Sequence, residues 1–222
     1  MNVLAMDTAT EVLALCASRD EAWASLCLRR GLQHSPSLLP LAEHLLAQMG
    51  LTAADLDLVV CSVGPGSFTG IRIGLATALG ISHGRGIPVV GVSTLDATAR
   101  AWEAHDGPVY PVIDARKGKI YFARFSGGIR QGEYHDGTPA DLAAEIAAVL
   151  AEGGRPLIAG PDAERIRGML GDAARAVPCG SSLDPLSLLR VGVEKYTKVG
   201  ADPESLRPLY LRKSEAEIAS GL

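Results

Sequence analysis

What this chain lacks narrows its chemistry before any motif is read. It holds only four cysteines, Cys16, Cys27, Cys61 and Cys179, scattered without a single C-x-x-C pair. That spacing argues against a zinc knuckle and fits buried thiols in a reducing compartment. No run of lysine or arginine interrupts a formal net charge of -4, so the chain lacks the basic surface with which a protein grips nucleic acid unaided. An activity on RNA would need a partner to supply that surface. No apolar run approaches the length that spans a bilayer, and no membrane association is expected. The opening MNVLAMDTAT meets an aspartate at position 7, which does not read as a signal peptide. A soluble, cytoplasmic protein is expected.

What is present reads as a globular α/β chain. A composition 47% hydrophobic and 21% charged excludes disorder, and 222 residues leave room for one large domain or two small ones. Alternating and apolar runs predict strands at residues 2–6, 12–18 and 22–28, with Arg19-Asp20-Glu21 as a turn. A helix over 37–49 follows, with Ser37 as its N-cap and Pro40 in its first turn. Next come a buried strand at 56–63, a helix at 69–84, a strand at 88–92 and a helix at 94–105. The second half repeats the order: strands at 109–113, 120–125 and 129–135, a helix at 139–151, a strand at 156–159, a helix at 162–170, a short strand near 174–177 and a helix at 185–198. Each half opens on an apolar strand that ends in an aspartate, Asp7 and Asp114. The pattern predicts two similar lobes, residues 1–105 and 106–200, each β3αβαβα, with 201–222 as a tail able to return to the first lobe.

Between the strand at 56–63 and the next helix lies Gly64-Pro-Gly-Ser-Phe-Thr-Gly-Ile-Arg-Ile-Gly74. A Walker loop needs a lysine after its last glycine, and here Arg72 is the sole nearby cation. A dinucleotide fingerprint would place the third glycine one position earlier, and Pro65 removes an N–H that could face an anion. Free N–H groups at the helix start could still attract a phosphate. A structural turn is the favoured reading, but the loop alone leaves both open.

The helix it leads into carries two rows of small residues at four-residue spacing: Gly70, Gly74, Ala78, Ser82, and Ala76, Gly80, Gly84. Its apolar residues are spread around the axis, so it has no polar face and should be covered on every side. Helix 37–49 has a similar excess, with Leu38, Leu41, Leu45 and Met49 on one face and Leu39 and Leu46 elsewhere. Either these helices pack on each other and the sheet, or their outer faces form a protein interface.

Taken together, LAMDTAT (4–10), HSPSLLP (34–40), VGPGSFTGIRIGLATALG (63–80), GVSTLDATA (91–99), VIDARKGKIYFA (112–123) and PLYLR (208–212) resemble the bacterial TsaB (YeaZ) family from end to end. The resemblance implies an actin-like ATPase (ribonuclease H-like) duplication. It also implies a role in threonylcarbamoyl modification of adenosine 37 in tRNAs that read codons starting with adenine. Members partner the catalytic paralogue TsaD, together with the ATPase TsaE. They pair through the two helices discussed above, as homodimers when alone and with TsaD in the heterodimer, tRNA being reached only through the complex. By that resemblance the interface residues are Leu38, Leu41, Leu45, Arg72, Gly74 and Ala78.

TsaD carries an H-x-x-x-H metal pair on the helix that corresponds to 94–105, and here Thr94 and Thr98 occupy both slots. Hydroxyls are poor ligands for the metals that imidazole holds. The five histidines offer no other i, i+4 pair; His34 and His44 fit a helix start and a solvent face. In actin-like kinases the first-strand aspartate precedes a glycine-rich turn, whereas Asp7 is followed by Thr8-Ala9-Thr10. Asp7 and Asp114 therefore read as loop caps at strand ends, and Asp7, Gly64, Gly66 and Ser67 are weak candidates for a cofactor site. Ser67, Cys61 and Cys179 have no sequence-adjacent histidine to activate them. The expectation is a binding protein without catalytic residues, cofactor or metal. The alternative is a Mg-ATP-dependent phosphotransferase or ATPase using Asp7 and the Gly64–Gly70 loop.

Overall fold

A computed structural model describes residues 1–29, 31, 34–171, 174, 177–180 and 183–212. The first lobe starts with an antiparallel meander of β1 (Asn2–Asp7), β2 (Val12–Arg19) and β3 (Ala22–Arg29), turned between β2 and β3 at Asp20. Helix α1 (Ser35–Gln48), strand β4 (Leu58–Ser62), helix α2 (Phe68–Arg85), strand β5 (Val89–Val92) and helix α3 (Thr94–Arg100) follow. β4 lies parallel to β1 and β5 parallel to β4, giving the order β3-β2-β1-β4-β5. The second lobe repeats it with β6 (Val109–Arg116), β7 (Lys119–Ser126), β8 (Ile129–Gly137), α4 (Pro139–Ala151), β9 (Leu157–Ala159), α5 (Ala163–Arg167), β10 (Cys179–Gly180) and α6 (Pro185–Val199). Its order, β8-β7-β6-β9-β10, is the same path walked again. Two lobes of identical topology make this the actin-like duplication.

Local chemistry explains the elements. β4, Leu-Val-Val-Cys-Ser, is buried at every position, as a parallel strand covered on both faces must be. Ser67 caps α2 by accepting from the Gly70 N–H, and Gly86 closes it in the left-handed region at φ 67°. Thr138 and Asp141 form a reciprocal capping box on α4. Some expected boundaries move. His34, not Ser37, stands at the N-cap of α1, so the helix begins at Ser35. α3 stops at Arg100 rather than 105, and α5 is five residues long. The last short strand sits at Cys179–Gly180; of the stretch expected for it, residues 175 and 176 lie outside the described residues.

The layers are exchanged between lobes. One face of the first sheet is covered by α1 and α2. Its other face, Val3, Ala5, Leu58, Val60, Val90 and Val92, is covered by Leu186, Leu188 and Leu189 of α6, the closing helix of the second lobe. The second sheet packs α4 and α5 on one face, while Leu95 and Ala99 of α3, the closing helix of the first lobe, lie on the other. After α6 a 3-10 turn, Pro203–Leu206, returns to β5, where the Gly91 N–H donates to Ser205 Oγ at 3.2 Å. The Leu209 N–H then donates to the Val63 carbonyl at 2.7 Å, and Arg212 grips Asp136 of β8 with two bonds of 3.0 and 2.7 Å. No helix among the described residues is long and apolar enough to cross a membrane.

Candidate functional site

The aspartate at the end of β1, the loop after β4 and the first turn of α2 meet in one place, and their geometry is that of a closed junction. Asp7 is 1% exposed. Its Oδ1 accepts from the Ala9 N–H and the Ser62 hydroxyl, each at 2.8 Å, while Oδ2 is buried with no partner among the described residues. Burial pushes this carboxyl above the usual carboxylate range, and the two hydrogen bonds and the charge of His34 only partly oppose that. His34 is itself buried, its Nε2 2.7 Å from the Thr10 carbonyl, to which it donates.

The glycines of the loop are explained by what they touch. A Cβ built on Gly66 would stand 2.2 Å from the Ala9 carbonyl oxygen, and one on Gly70 would stand 2.0 Å from the Thr8 oxygen. The Ser67 N–H donates to the Ala9 carbonyl at 2.7 Å. The Asp7–Thr10 turn therefore fills the hollow into which a phosphate loop would receive its anion, and the N–H groups of Ser67 and Gly70 are already engaged. Asp114 offers no second magnesium carboxylate: Arg165 pairs with it at 2.7 Å, Arg116 at 3.4 Å, and it accepts from the Arg116 N–H. These residues do not fit a magnesium-bound nucleotide.

Thr94 and Thr98 are buried on α3, and the Thr98 hydroxyl donates to the Thr94 carbonyl at 2.8 Å. Among the described residues no three His, Cys, Asp or Glu side chains are grouped as metal ligands. Burial raises the Cys16 and Cys61 thiols to about 12 and Cys179 to about 11, so all three are protonated and poor nucleophiles near neutral pH.

The helix pair corrects the expected facing. Gly74 and Ala78 do not point outward: Ala78 is fully buried, and a Cβ on Gly74 would stand 2.4 Å from Thr8 Oγ1. Leu38 and Leu45 likewise belong to the monomer's own core. The physical reason is Thr8, whose hydroxyl donates to the Gly70 carbonyl at 2.7 Å and draws α2 down onto the end of β1 through its Gly70–Gly74–Ala78 row. Of the expected interface residues, Leu41 is half-buried and Arg72 exposed. The row that faces out is the other one, Ala76, Gly80 and Gly84, where a Cβ on either glycine meets none of the described residues within 4 Å. Leu39 of α1 is 49% exposed, and Ile73 and Leu79 of α2 are half-buried. The outer surface of the pair thus holds a strip of small and aliphatic residues, flanked by exposed polar and charged ones such as Glu43, His44, Arg72 and His83.

One cluster escapes sequence reasoning. Phe68 stacks on Tyr210 of the tail at 4.7 Å, the Arg72 guanidinium lies 3.7 Å over the Phe68 ring, and Arg72 Nε donates to the Tyr210 hydroxyl at 3.2 Å. The tail thereby orients the Arg72 guanidinium near the start of α2. The sequence offers only a tail able to return to the first lobe and the PLYLR stretch at 208–212 as signals of it.

Comparison with known proteins agrees along the whole chain. The family model described as TsaD, tRNA N6-adenosine threonylcarbamoyltransferase, matches residues 31–165. The tRNA threonylcarbamoyladenosine biosynthesis protein TsaB of Escherichia coli is 32% identical over 233 aligned residues, covering 97% of this chain and 96% of that protein. Its counterpart in Bacillus subtilis is 31% identical, covering 98% and 96%. The solved structure of YeaZ from Pseudomonas aeruginosa superposes with a TM-score of 0.74 at 25% identity, over 95% of this chain and 99% of that one.

Proposed function

The chain belongs to the TsaB family of tRNA threonylcarbamoyladenosine biosynthesis proteins, and from that premise we propose that it is a non-catalytic subunit for threonylcarbamoyl transfer to N6 of adenosine 37. Its task is to bind the transferase TsaD, with TsaE as a third component and tRNA reached only through the assembly. Alone, the same surface pairs two copies. The observation that carries this reading is the outer surface of α1 and α2, where Leu39 stands open and the Ala76–Gly80–Gly84 row leaves room for another backbone. A match to the TsaD model across both lobes supports descent from a common ancestor, and the threonines at 94 and 98 leave no imidazole pair for metal.

Replacing Ala76 with Arg tests it. Position 76 is exposed, so the variant folds; in a complex the arginine would be buried without a partner. Such a charge costs several kcal/mol, enough to weaken TsaD binding about a thousandfold. The expected result is a folded protein that no longer captures TsaD and does not rescue a depletion strain. Undiminished capture would sink the proposed surface. The closed Asp7 junction disfavours phosphotransfer; a rise in Tm on adding Mg-ATP would revive that alternative.

A further inference from the structure

The two sheets have four edges, and three are protected. β5 is covered by the tail at Ser205, and β10 is two residues long. β8 carries Arg130, Glu133 and Asp136, Gly132 at φ 91° and a register shift against β7. These are devices that blunt edge-to-edge pairing. β3 has no such break among the described residues: its one charge, Arg29, stands at its end and donates to the Pro161 carbonyl at 3.3 Å, and the Cys27 thiol lies 3.7 Å from the Leu183 carbonyl. It is eight residues long, Ala-Trp-Ala-Ser-Leu-Cys-Leu-Arg, pairs in unbroken register with β2, and has no strand among the described residues on its outer side. Trp23 is 51% exposed on it, and Ala22, Ser25, Cys27 and Arg29 are exposed as well.

The charges around this strand are self-complementary. Laid antiparallel on itself about Ser25, β3 sets Trp23 opposite Cys27 and Ala24 opposite Leu26. Glu21, one residue ahead of the strand, falls opposite Arg29. A two-fold axis through Ser25 makes each of these contacts twice, and keeps the half-buried Ala24, Leu26 and Leu28 of both copies on the α1 side. Opposite charges facing each other stabilise an antiparallel pair in one register, and the hydrophobic positions agree with that register.

We propose that β3 binds β3 of a second copy of this chain, antiparallel about Ser25, joining their five-stranded sheets into one. This surface is separate from the outer surface of α1 and α2, so the test is run in full-length protein carrying Ala76→Arg, where failure of one reading leaves the other standing. Sedimentation equilibrium should show that this variant still self-associates. Adding Glu21→Arg, or separately Arg29→Glu, should weaken association by about tenfold or more, while an equimolar mixture of the two regains the parental affinity because each like-charge pair becomes an opposite pair. Amide exchange in β3 should slow as concentration rises. An Ala76→Arg protein that stays monomeric at every concentration overturns the proposal, as does association indifferent to both charge reversals.

Discussion

At the scale of single residues, Asp7 is the most informative position. Its carboxyl sits above its unfolded value because it is buried, with one oxygen lacking a partner among the described residues. A group raised in this way favours the native state fully at pH below the ordinary carboxylate range, and that contribution is lost as pH climbs toward the folded-state value. Asparagine keeps an oxygen for the Ala9 N–H and the Ser62 hydroxyl and removes the charge that burial disfavours. Asp7→Asn is therefore expected to melt no lower than the parent at neutral pH, and to lose the decline in stability above the carboxylate range. It should also rescue a depletion strain, since the partner reading asks no chemistry of the carboxylate. A folded but inactive Asp7→Asn would point instead to magnesium and phosphoryl transfer. That Asp7 and the glycine loop belong together was legible in the order of motifs. That the loop closes on the turn was not, because the decisive partners are the backbone carbonyls of Thr8 and Ala9, and a backbone oxygen has no letter in a sequence.

At the scale of elements, the alternation of strand and helix could be read off the periodicity almost throughout, but the facing of α2 could not. Its residues are apolar or small on every side, so no stripe marks the buried half. Both small-residue rows have the same four-residue spacing, and the choice between them is made by Thr8, sixty-two positions from its bonding partner Gly70. The two rows should respond oppositely to substitution. Ala78→Arg forces a charge into a fully buried position and should unfold the protein or cost more than about 3 kcal/mol. Gly80→Ala adds a methyl where none of the described residues lies within 4 Å and should stabilise α2 by about 0.5–1 kcal/mol, through reduced freedom of the unfolded chain. Denaturant titration of both variants checks the facing. A stable Ala78→Arg protein beside a destabilised Gly80→Ala one would reverse it. The same Gly80→Ala protein should bind TsaD less well, since the methyl narrows the approach that glycine leaves open.

At the scale of the whole molecule, the duplication invites the idea of two independent lobes, and the packing denies it. A helix at 185–198 was legible in the sequence; nothing local told which sheet it would cover. It covers the other lobe's. Gly192 marks how close the contact is, for a Cβ there would stand 2.3 Å from Val60 Cγ1. Without α6 the first lobe would leave Val3, Ala5, Leu58, Val60, Val90 and Val92 in water. The five valine and leucine side chains lose about 1.5–3 kcal/mol each when burial is removed, which together is as large as the net stability of an ordinary domain. A fragment of residues 1–105 is therefore expected to lack a cooperative transition, to bind a hydrophobic dye and to aggregate. In the intact chain the same exchange should fuse the lobes into one unfolding unit. Gly192→Leu, which presses a branched side chain between α6 and β4, should cost at least about 1–3 kcal/mol. It should move the melting of both lobes together in a single calorimetric peak whose van't Hoff and calorimetric enthalpies agree. Two separated peaks in the parent, or a well-folded 1–105 fragment, would mean that the exchanged helices decorate the lobes without joining them.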